Sequence, residues 1–277
     1  MCIDFFIYFN TIFNIKLKEL NLKGLFMKVK LIILLFILTC SKLLSVNFEF
    51  SFGGSLSSTI DFSQVVASLD VAKPLEGSRI DYGFSASSFL DIGANFELQD
   101  SEVLKGVSIL FETGYYYYMR YRTQTENIED RKNKFKYHNL ILGVLPKFNF
   151  NNGISFGIGA GIFMPLYSWI GQKINDKTEA SPLGLGIYGG ESKIDYKKII
   201  NMYKVPIMPY VKLNLEKNYY ISDSWAFKIG ANLIYNFGME FDTDNLRKNT
   251  TKYTFDEYKF SSLSFEVFFG FGFGRPK

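Results

Sequence analysis

The sequence has few of the residues on which covalent stabilisation, metal binding and nucleophilic catalysis depend. It contains two cysteines, Cys2 and Cys40, and one histidine, His138. Both cysteines precede Ser45, where a leader is predicted to end, so the remaining chain can form no disulfide, thiol nucleophile or cysteine-ligated metal site. One histidine without a neighbouring nucleophile and acid builds neither a zinc site nor a catalytic set. We therefore expect no metal, no cofactor and no enzyme activity.

Long apolar runs and a strong charge bias are also missing. No stretch after the leader has 18 consecutive apolar residues, so a membrane-spanning helix is not predicted. Heptads and solenoid-type repeats are absent as well. The 31 basic and 27 acidic residues leave a net charge of +4, which gives little support to nucleic-acid binding.

The first 45 residues have the layout of a targeting segment. A short basic start at Met27–Lys30 precedes an apolar run over residues 31–38, and Ser45 offers a small residue for cleavage. This order predicts a signal peptide over 27–45, an upstream extension over 1–26 and a mature chain over 46–277. A genuine long leader, an N-terminal anchor and lipidation of Cys40 remain alternatives, although Thr39 is a poor residue to precede a lipidated cysteine.

What the sequence does contain is alternation. From Ile80 to Leu98 the even positions are apolar at nine of ten places, while the odd positions are mostly Asp, Gly, Ser, Asn and Glu. Period two puts one set on each face of a strand. Seven further segments show the same pattern, so we predict an all-β, up-and-down antiparallel barrel of eight strands.

The connections between these strands alternate in length. Short joins are predicted at 99–105, 149–153 and 217–224, and long polar loops at 61–79, 123–134, 171–198 and 241–256. Short turns on one rim and long loops on the other are typical of outer-membrane barrels. An even strand count then places both mature termini on the short-turn, periplasmic side and the loops on the cell surface.

The two faces indicate which side meets lipid. The polar face is rich in Gly, Ser and Asn, and the apolar face carries Phe, Leu, Ile and Tyr, with aromatic residues making up 18% of the chain. Because an eight-stranded lumen has room only for side chains, small residues belong inside and bulky ones outside. A soluble barrel with a greasy lumen is the less favoured alternative. We expect membrane lipid as a partner and a monomeric state.

Alternation also assigns candidate functional residues. His138 shares its face with Leu140 and Leu142, so we expect it to point outward near the long-loop rim. Inward-facing charges should pair, because an isolated charge in a narrow lumen is costly; they either only neutralise one another or set a small gated conductance. The predicted lumen charges are Asp91, Glu97, Glu112, Arg120, Arg122, Lys147, Lys212, Lys228 and Glu266, and the predicted interfacial aromatic residues are Tyr115, Tyr117, Tyr121, Tyr167, Trp169, Tyr219 and Trp225.

In leader, strand count, loop layout and composition, residues 27–277 resemble the small outer-membrane β-barrel proteins of Borrelia-type spirochaetes. No diagnostic motif carries this resemblance, so it assigns no individual residue. It implies a narrow porin-like or structural barrel with surface-exposed loops. The alternative that it implies is an adhesin that binds host serum or matrix proteins, such as complement regulators, through those loops.

Overall fold

The structure is a computed structural model that describes residues 44–67, 77–98, 101, 103–126, 129–174, 177–179, 192–244 and 255–274. The chain divides into two units after Val46, and the fold described here is that of the second unit. The predicted leader lies almost wholly outside the described residues and stays a prediction. Among the described residues, no helix has both the length and the apolar character needed to cross a membrane.

Long strands dominate the described part of the chain. In chain order, the elements are β1 (Leu44–Ala67), β2 (Gly77–Leu98), β3 (Leu104–Glu126), β4 (Glu129–Phe150), β5 (Ile154–Ile174), β6 (Lys177–Glu179), β7 (Ser192–Asp195), α1 (Tyr196–Met202), β8 (Met208–Tyr220), β9 (Trp225–Glu240) and β10 (Phe255–Phe273).

Eight of these strands close into a ring. Each long strand pairs with the next one along the chain, with β8 following β5, and β10 returns to pair with β1. The closing pair is antiparallel and in register from Phe50 opposite Phe273 to Val66 opposite Glu257. The short strands β6 and β7 both pair with β5 outside the ring. The predicted eight-stranded antiparallel barrel is confirmed.

The barrel is apolar outside and polar inside. On β10, Phe265 and Phe269 are each 57% exposed, whereas Ser264 and Glu266, the two neighbours of Phe265, are 1% and 5% exposed. On β4, outward residues from His138 to Phe148 cover ten residue steps, about 34 Å along the strand. At a tilt of about 40° this is close to the apolar band of roughly 25 Å on transmembrane barrels. The fold is therefore that of a transmembrane β-barrel.

The two rims differ, as predicted. At the turn end, β4 and β5 are joined by Asn151, Asn152 and Gly153, and Gly153 adopts a φ of 79° that glycine reaches without strain. Its amide donates to the Phe150 carbonyl at 3.0 Å. The four residues 221–224 join β8 and β9 at the same end. The first residues of β1 lie at this end too, because Phe50 is opposite Phe273.

The predicted loops at the other rim, the loop end, are shorter than the sequence suggested. Strand β1 continues through Ala67, so only residues 68–76 separate it from β2 rather than 61–79. The predicted loop 123–134 is wrong, because β3 and β4 stay paired up to Glu126 opposite Glu129. Runs of polar residues predict loops, yet strands that leave the membrane also carry polar residues on both faces. The segment 241–256 agrees within a residue or two, since β9 ends at Glu240 and β10 begins at Phe255.

The predicted loop 171–198 contains regular structure. It includes the end of β5, the strands β6 and β7, and the start of α1. Residues 192–203, here named the plug segment, bury Ile194, Ile199, Met202 and Tyr203 in the loop end of the barrel. The segment is tied to β9 by a bridge between Tyr203 and Phe241. Ile199 and Met202 are one helical turn apart, so α1 presents both to the same side.

The β1–β10 seam offers a test of closure. A Cβ at Gly53 would overlap the Phe269 carbonyl oxygen and lie 2.7 Å from Phe89 Cζ, whereas at the adjacent Gly54 only the Ser87 oxygen comes close, at 3.3 Å. We expect Gly53→Val to destabilise the barrel by about 1–3 kcal/mol, the usual range for overpacking. We expect the folded barrel to migrate faster on gels before boiling than after, so urea titration of that form measures the change, and Gly54→Val is the matched control. Equal midpoints for the two variants would contradict a tightly packed seam.

Candidate functional site

The candidate site is the lumen, which holds charged side chains in two layers. In the layer nearer the turn end, Glu49, Lys147, Glu216 and Lys228 form a balanced cluster, here named the charge quartet. Lys147 Nζ lies 3.1 Å from Glu216 Oε1 and 3.6 Å from Glu49 Oε1. Lys228 Nζ lies 3.4 Å and 3.9 Å from the same two oxygen atoms. All four residues are buried, so each charge is compensated by two of opposite sign.

Amide and hydroxyl groups fill the space around the quartet. Asn149 Nδ2 donates to Asn95 Oδ1 at 2.9 Å and to Ser108 Oγ at 2.7 Å. Ser108 in turn donates to Glu49. Buried polar groups that are bonded to one another keep their positions, because a broken partner leaves an uncompensated group in a medium of low polarity. The quartet is therefore held inside a rigid polar layer.

The middle layer has more acid than base. Lys212 forms an ion pair with Glu112. Asp91, which lies directly opposite Glu112 across β2 and β3, accepts a hydrogen bond from Ser51 at 2.9 Å. Glu266 accepts one from Ser87 at 3.3 Å. These side chains surround a cavity of about 30 Å³, which is room for roughly one water molecule.

Aromatic side chains fill the loop end of the lumen. Phe163 lies between Tyr116 and Tyr210, with ring centroids 4.1 Å and 4.4 Å away and nearly parallel planes. Tyr203 of the plug segment packs against Phe241 at 4.5 Å and shares a hydrogen bond of 2.9 Å with the Tyr137 hydroxyl. The aromatic cluster consists of Tyr116, Tyr118, Phe135, Tyr137, Phe163, Tyr203, Tyr210, Phe241, Tyr258 and Phe260, all buried.

Arg120 is a basic residue that lies within the aromatic cluster. Its guanidinium carbon lies 3.8 Å from the Phe260 ring centroid and 4.4 Å from that of Phe135. Nη2 donates to the Tyr258 hydroxyl at 3.3 Å. A guanidinium group is the cation best suited to such stacking, because it is planar and weakly hydrated. Arg120 therefore joins β3 to β4 and β10 through ring contacts.

The structure places the predicted lumen charges as follows. Asp91, Glu112, Lys147, Lys212, Lys228 and Glu266 are buried in the two charged layers, and Arg120 is buried in the aromatic cluster. Glu97 is half-buried near the turn end, where its Oε1 has no hydrogen-bond partner. The side chain of Arg122 lies outside the described residues. The sequence predicted that the inward-facing charges pair without naming the pairs, and in the structure Glu112 pairs with Lys212.

Three buried acids were missed by the sequence analysis. Glu49 alternates with Phe48 and Phe50, and Glu216 shares its face with Lys212, so the same alternation rule would have found both. Asp61 was missed because it falls in the predicted loop 61–79, whereas β1 continues to Ala67. It is 2% exposed and accepts a hydrogen bond from the Tyr118 hydroxyl. Glu49 and Glu216 are the two acids of the charge quartet, so the sequence prediction contained only its basic half.

Six of the seven predicted interfacial aromatic residues have described side chains, and these lie on the outer surface at the two rims. Tyr219 and Trp225 are exposed at the turn end, and the Trp225 ring packs 5.4 Å from that of Phe273. At the loop end, Tyr115, Tyr117 and Tyr167 surround His138, whose ring stacks on Tyr167 at 4.1 Å. Trp169 is half-buried beside them, and the side chain of Tyr121 lies outside the described residues.

The described residues contain no group of three or more His, Cys, Asp or Glu side chains placed to ligate a metal ion. The middle layer does contain three acids. One of them, Glu112, forms an ion pair with Lys212.

No family of known proteins matches the sequence, and no curated protein matches it either. Among solved structures, Ail of Yersinia pestis is 12% identical, with 81% of this chain and 98% of that chain covered, at a TM-score of 0.33. Neisserial surface protein A is also 12% identical, with 81% of this chain and 97% of that chain covered, at a TM-score of 0.33. OprG of Pseudomonas aeruginosa is 11% identical, with 84% of this chain and 98% of that chain covered, at a TM-score of 0.35. The eight-stranded ring is defined by this chain's own strand pairing.

The ion pair between Lys212 and Glu112 generates a prediction. Lys212→Met removes the basic member of the middle layer and leaves Glu112, Asp91 and Glu266 close together without it. Breaking a buried pair in this way destabilises a protein by about 3–5 kcal/mol. We expect a clearly lower urea midpoint, followed by gel shift and tryptophan fluorescence. The control is Lys259→Met, which breaks a half-exposed pair with Glu257 at 2.8 Å and should change the midpoint little. Similar effects of both variants would contradict a dry, paired lumen.

Proposed function

We propose that this chain is an integral outer-membrane β-barrel protein with a closed lumen, in which the barrel acts as a scaffold for its loop end. The loop end faces the outside of the cell and the turn end faces the periplasm. A closed ring leaves no strand edge unpaired in lipid. An even number of strands with short turns at one rim supports the bacterial outer membrane as the location.

One observation carries this proposal: side chains occlude the lumen at two separate levels. The charge quartet crosses the bore near the turn end, with Lys147 and Lys228 each within 4 Å of acids on other strands. The aromatic cluster and the plug segment fill it at the loop end. The cavity between them holds about 30 Å³. Of the two interpretations of the lumen charges, mutual neutralisation is therefore favoured over a conducting path.

Conductance in planar bilayers tests the closed lumen. We expect the wild-type protein to give no ohmic steps above the protein-free baseline, because ions would have to cross two packed layers. A large outer-membrane porin measured in the same bilayers is the positive control and shows that the assay detects an open bore. Replacing Glu49, Lys147, Glu216 and Lys228 together by Ser should leave the lumen closed, because the aromatic cluster still fills the loop end. Stable steps from the wild type would favour a narrow porin instead.

Binding of a host protein by the loop end is a second candidate function, and the β3–β4 hairpin favours it. The hairpin stays paired for six residues beyond Arg120, up to Glu126 opposite Glu129, which is about 20 Å of strand. Strand β5 continues beside β4 as far as Ile174 opposite Arg131. A paired sheet thus extends beyond the plugged end of the lumen, where a rigid surface can present contacts to another protein.

Shortening this hairpin tests host-protein binding independently of the scaffold role of the barrel. Replacing residues 123–132 by a two-residue turn leaves the ring pairs below it in place. If the hairpin binds host serum or matrix proteins, we expect the shortened protein to lose that binding while keeping its heat-dependent gel shift. Surface plasmon resonance against purified complement regulators and matrix proteins measures the loss. A wild-type protein that binds none of them would remove this candidate and leave the scaffold barrel.

A further inference from the structure

A patch on the outer surface at the loop end brings lysine and aromatic side chains together on three neighbouring strands. Lys136 on β4 is opposite Trp169 on β5, and Trp169 is opposite Lys193 on β7. Two residues further toward the turn end on β4, His138 is opposite Tyr167, which is opposite Asp195. Neighbouring strands are about 4.8 Å apart, so Lys136 and Lys193 flank Trp169 at about 10 Å from each other. We name Lys136, His138, Tyr167, Trp169 and Lys193 the rim patch.

The rim patch depends on a bulge in β5. His138 pairs with Tyr167 and Asn139 pairs with Pro165, so Leu166 is an extra residue. The extra residue reverses the alternation of β5 beyond it. Ser168 then points inward at 1% exposure, and Tyr167 and Trp169 point outward. Without the bulge, both rings would face the lumen and the patch would not exist.

Ring contacts hold the patch in shape. The His138 ring stacks on Tyr167 with an interplanar angle of 18° and lies 5.2 Å from Tyr117. The Tyr115 hydroxyl and His138 Nδ1 share a hydrogen bond. Lys193 Nζ lies 4.6 Å above the Tyr167 ring, which is a cation–π distance. The aromatic floor thus places at least one ammonium group at a defined position.

The order of residues along these strands matches the layers of a membrane. On β4 the outward residues change from Val144, Leu142 and Leu140 to His138 and then to Lys136. Apolar residues suit the hydrocarbon layer, aromatic residues suit its border, and lysine suits the level of the headgroups. The two lysines of the rim patch therefore lie where the phosphates of the outer leaflet would be, given the proposed placement in a membrane.

Charge separates this patch from the opposite side of the same rim. Among the described residues of β4, β5 and β7 that face outward here, Lys134, Lys136 and Lys193 are basic and Asp195 is acidic. Across the barrel, Lys204 pairs with Glu240 and Lys259 pairs with Glu257, so that side is balanced. An excess of positive charge over an aromatic floor is complementary to an anionic headgroup attached to acyl chains.

We propose that the rim patch is a binding site for an anionic phospholipid, in which the phosphate lies over Trp169 between Lys136 and Lys193 and an acyl chain follows Tyr167 and Leu140 down the barrel wall. The inference rests on the proposed membrane function. The lysines supply the preference for negative charge, and the aromatic rings pack against the glycerol and upper chain.

Native mass spectrometry of the detergent-solubilised protein tests the site with phosphatidylglycerol and phosphatidylcholine of identical chains. We expect tighter binding of phosphatidylglycerol, by about five-fold for each lysine near the headgroup. Lys136→Gln with Lys193→Gln should abolish most of the preference. Lys259→Gln, on the balanced side, should leave it unchanged. The preference should also weaken with rising salt, because exposed charges are screened.

The outcomes separate the site from the barrel itself. A protein that keeps its heat-dependent gel shift in neutral-lipid nanodiscs but shows no preference for phosphatidylglycerol overturns the lipid site and leaves the barrel. A protein that inserts in no lipid overturns both. An equal loss of preference in Lys259→Gln would show a diffuse charge effect and overturn the site. Binding of a soluble sulfated polysaccharide that displaces phosphatidylglycerol would assign the patch to a glycan instead.

Discussion

The rest of the structure depends on the pairing of β1 with β10. A strand edge in hydrocarbon leaves backbone amides and carbonyls without partners, at several kcal/mol for each group. The seam from Phe50–Phe273 to Val66–Glu257 removes both edges at once. Closure also fixes the radius of an eight-stranded ring, and that radius leaves a lumen only wide enough for side chains. Glycine at positions 53 and 270, which face each other across the seam, lets the two backbones and the Phe89 ring share this narrow space.

The narrow lumen explains the choice of interior residues. A bore with room for little water forces each buried charge to find a partner on another strand, as Lys147 and Lys228 do with Glu49 and Glu216. Such pairs add little net stability, because desolvation offsets much of the attraction between the charges. Opposite charges on different strands can meet only in one register, and the ion pair of Lys212 with Glu112 has the same effect for β8 and β3.

The loop end is organised differently because it leaves the membrane. There β8 begins only at Met208, whereas β5 and β9 continue past it, so the wall of the ring is incomplete beyond Phe163. The plug segment fills this gap: β7 covers the free edge of β5, and Ile199, Met202 and Tyr203 cover the aromatic cluster. Because β7 pairs with β5 where β8 is missing, Lys193 lies next to Trp169. The plug that supports a closed lumen thus also completes the rim patch outside.

Alternation in the sequence determined the eight strands, their inward and outward faces, and the short turns, because a period of two reflects a single strand and needs no partner. It therefore predicted the burial of Asp91, Lys147 and Glu266 without a structure. The partner of Glu112 could not be predicted, since Lys212 lies 100 residues away and only the closed ring brings them together. Trp169 is a second case: its place at a strand end predicted an interfacial residue, but alternation along β5 alone would turn its ring inward. Its outward direction follows from Leu166, an extra residue that becomes a bulge only when β5 pairs with β4 in the observed register. Tertiary structure decided which charges meet and turned Tyr167 and Trp169 outward, because both outcomes depend on the register between strands.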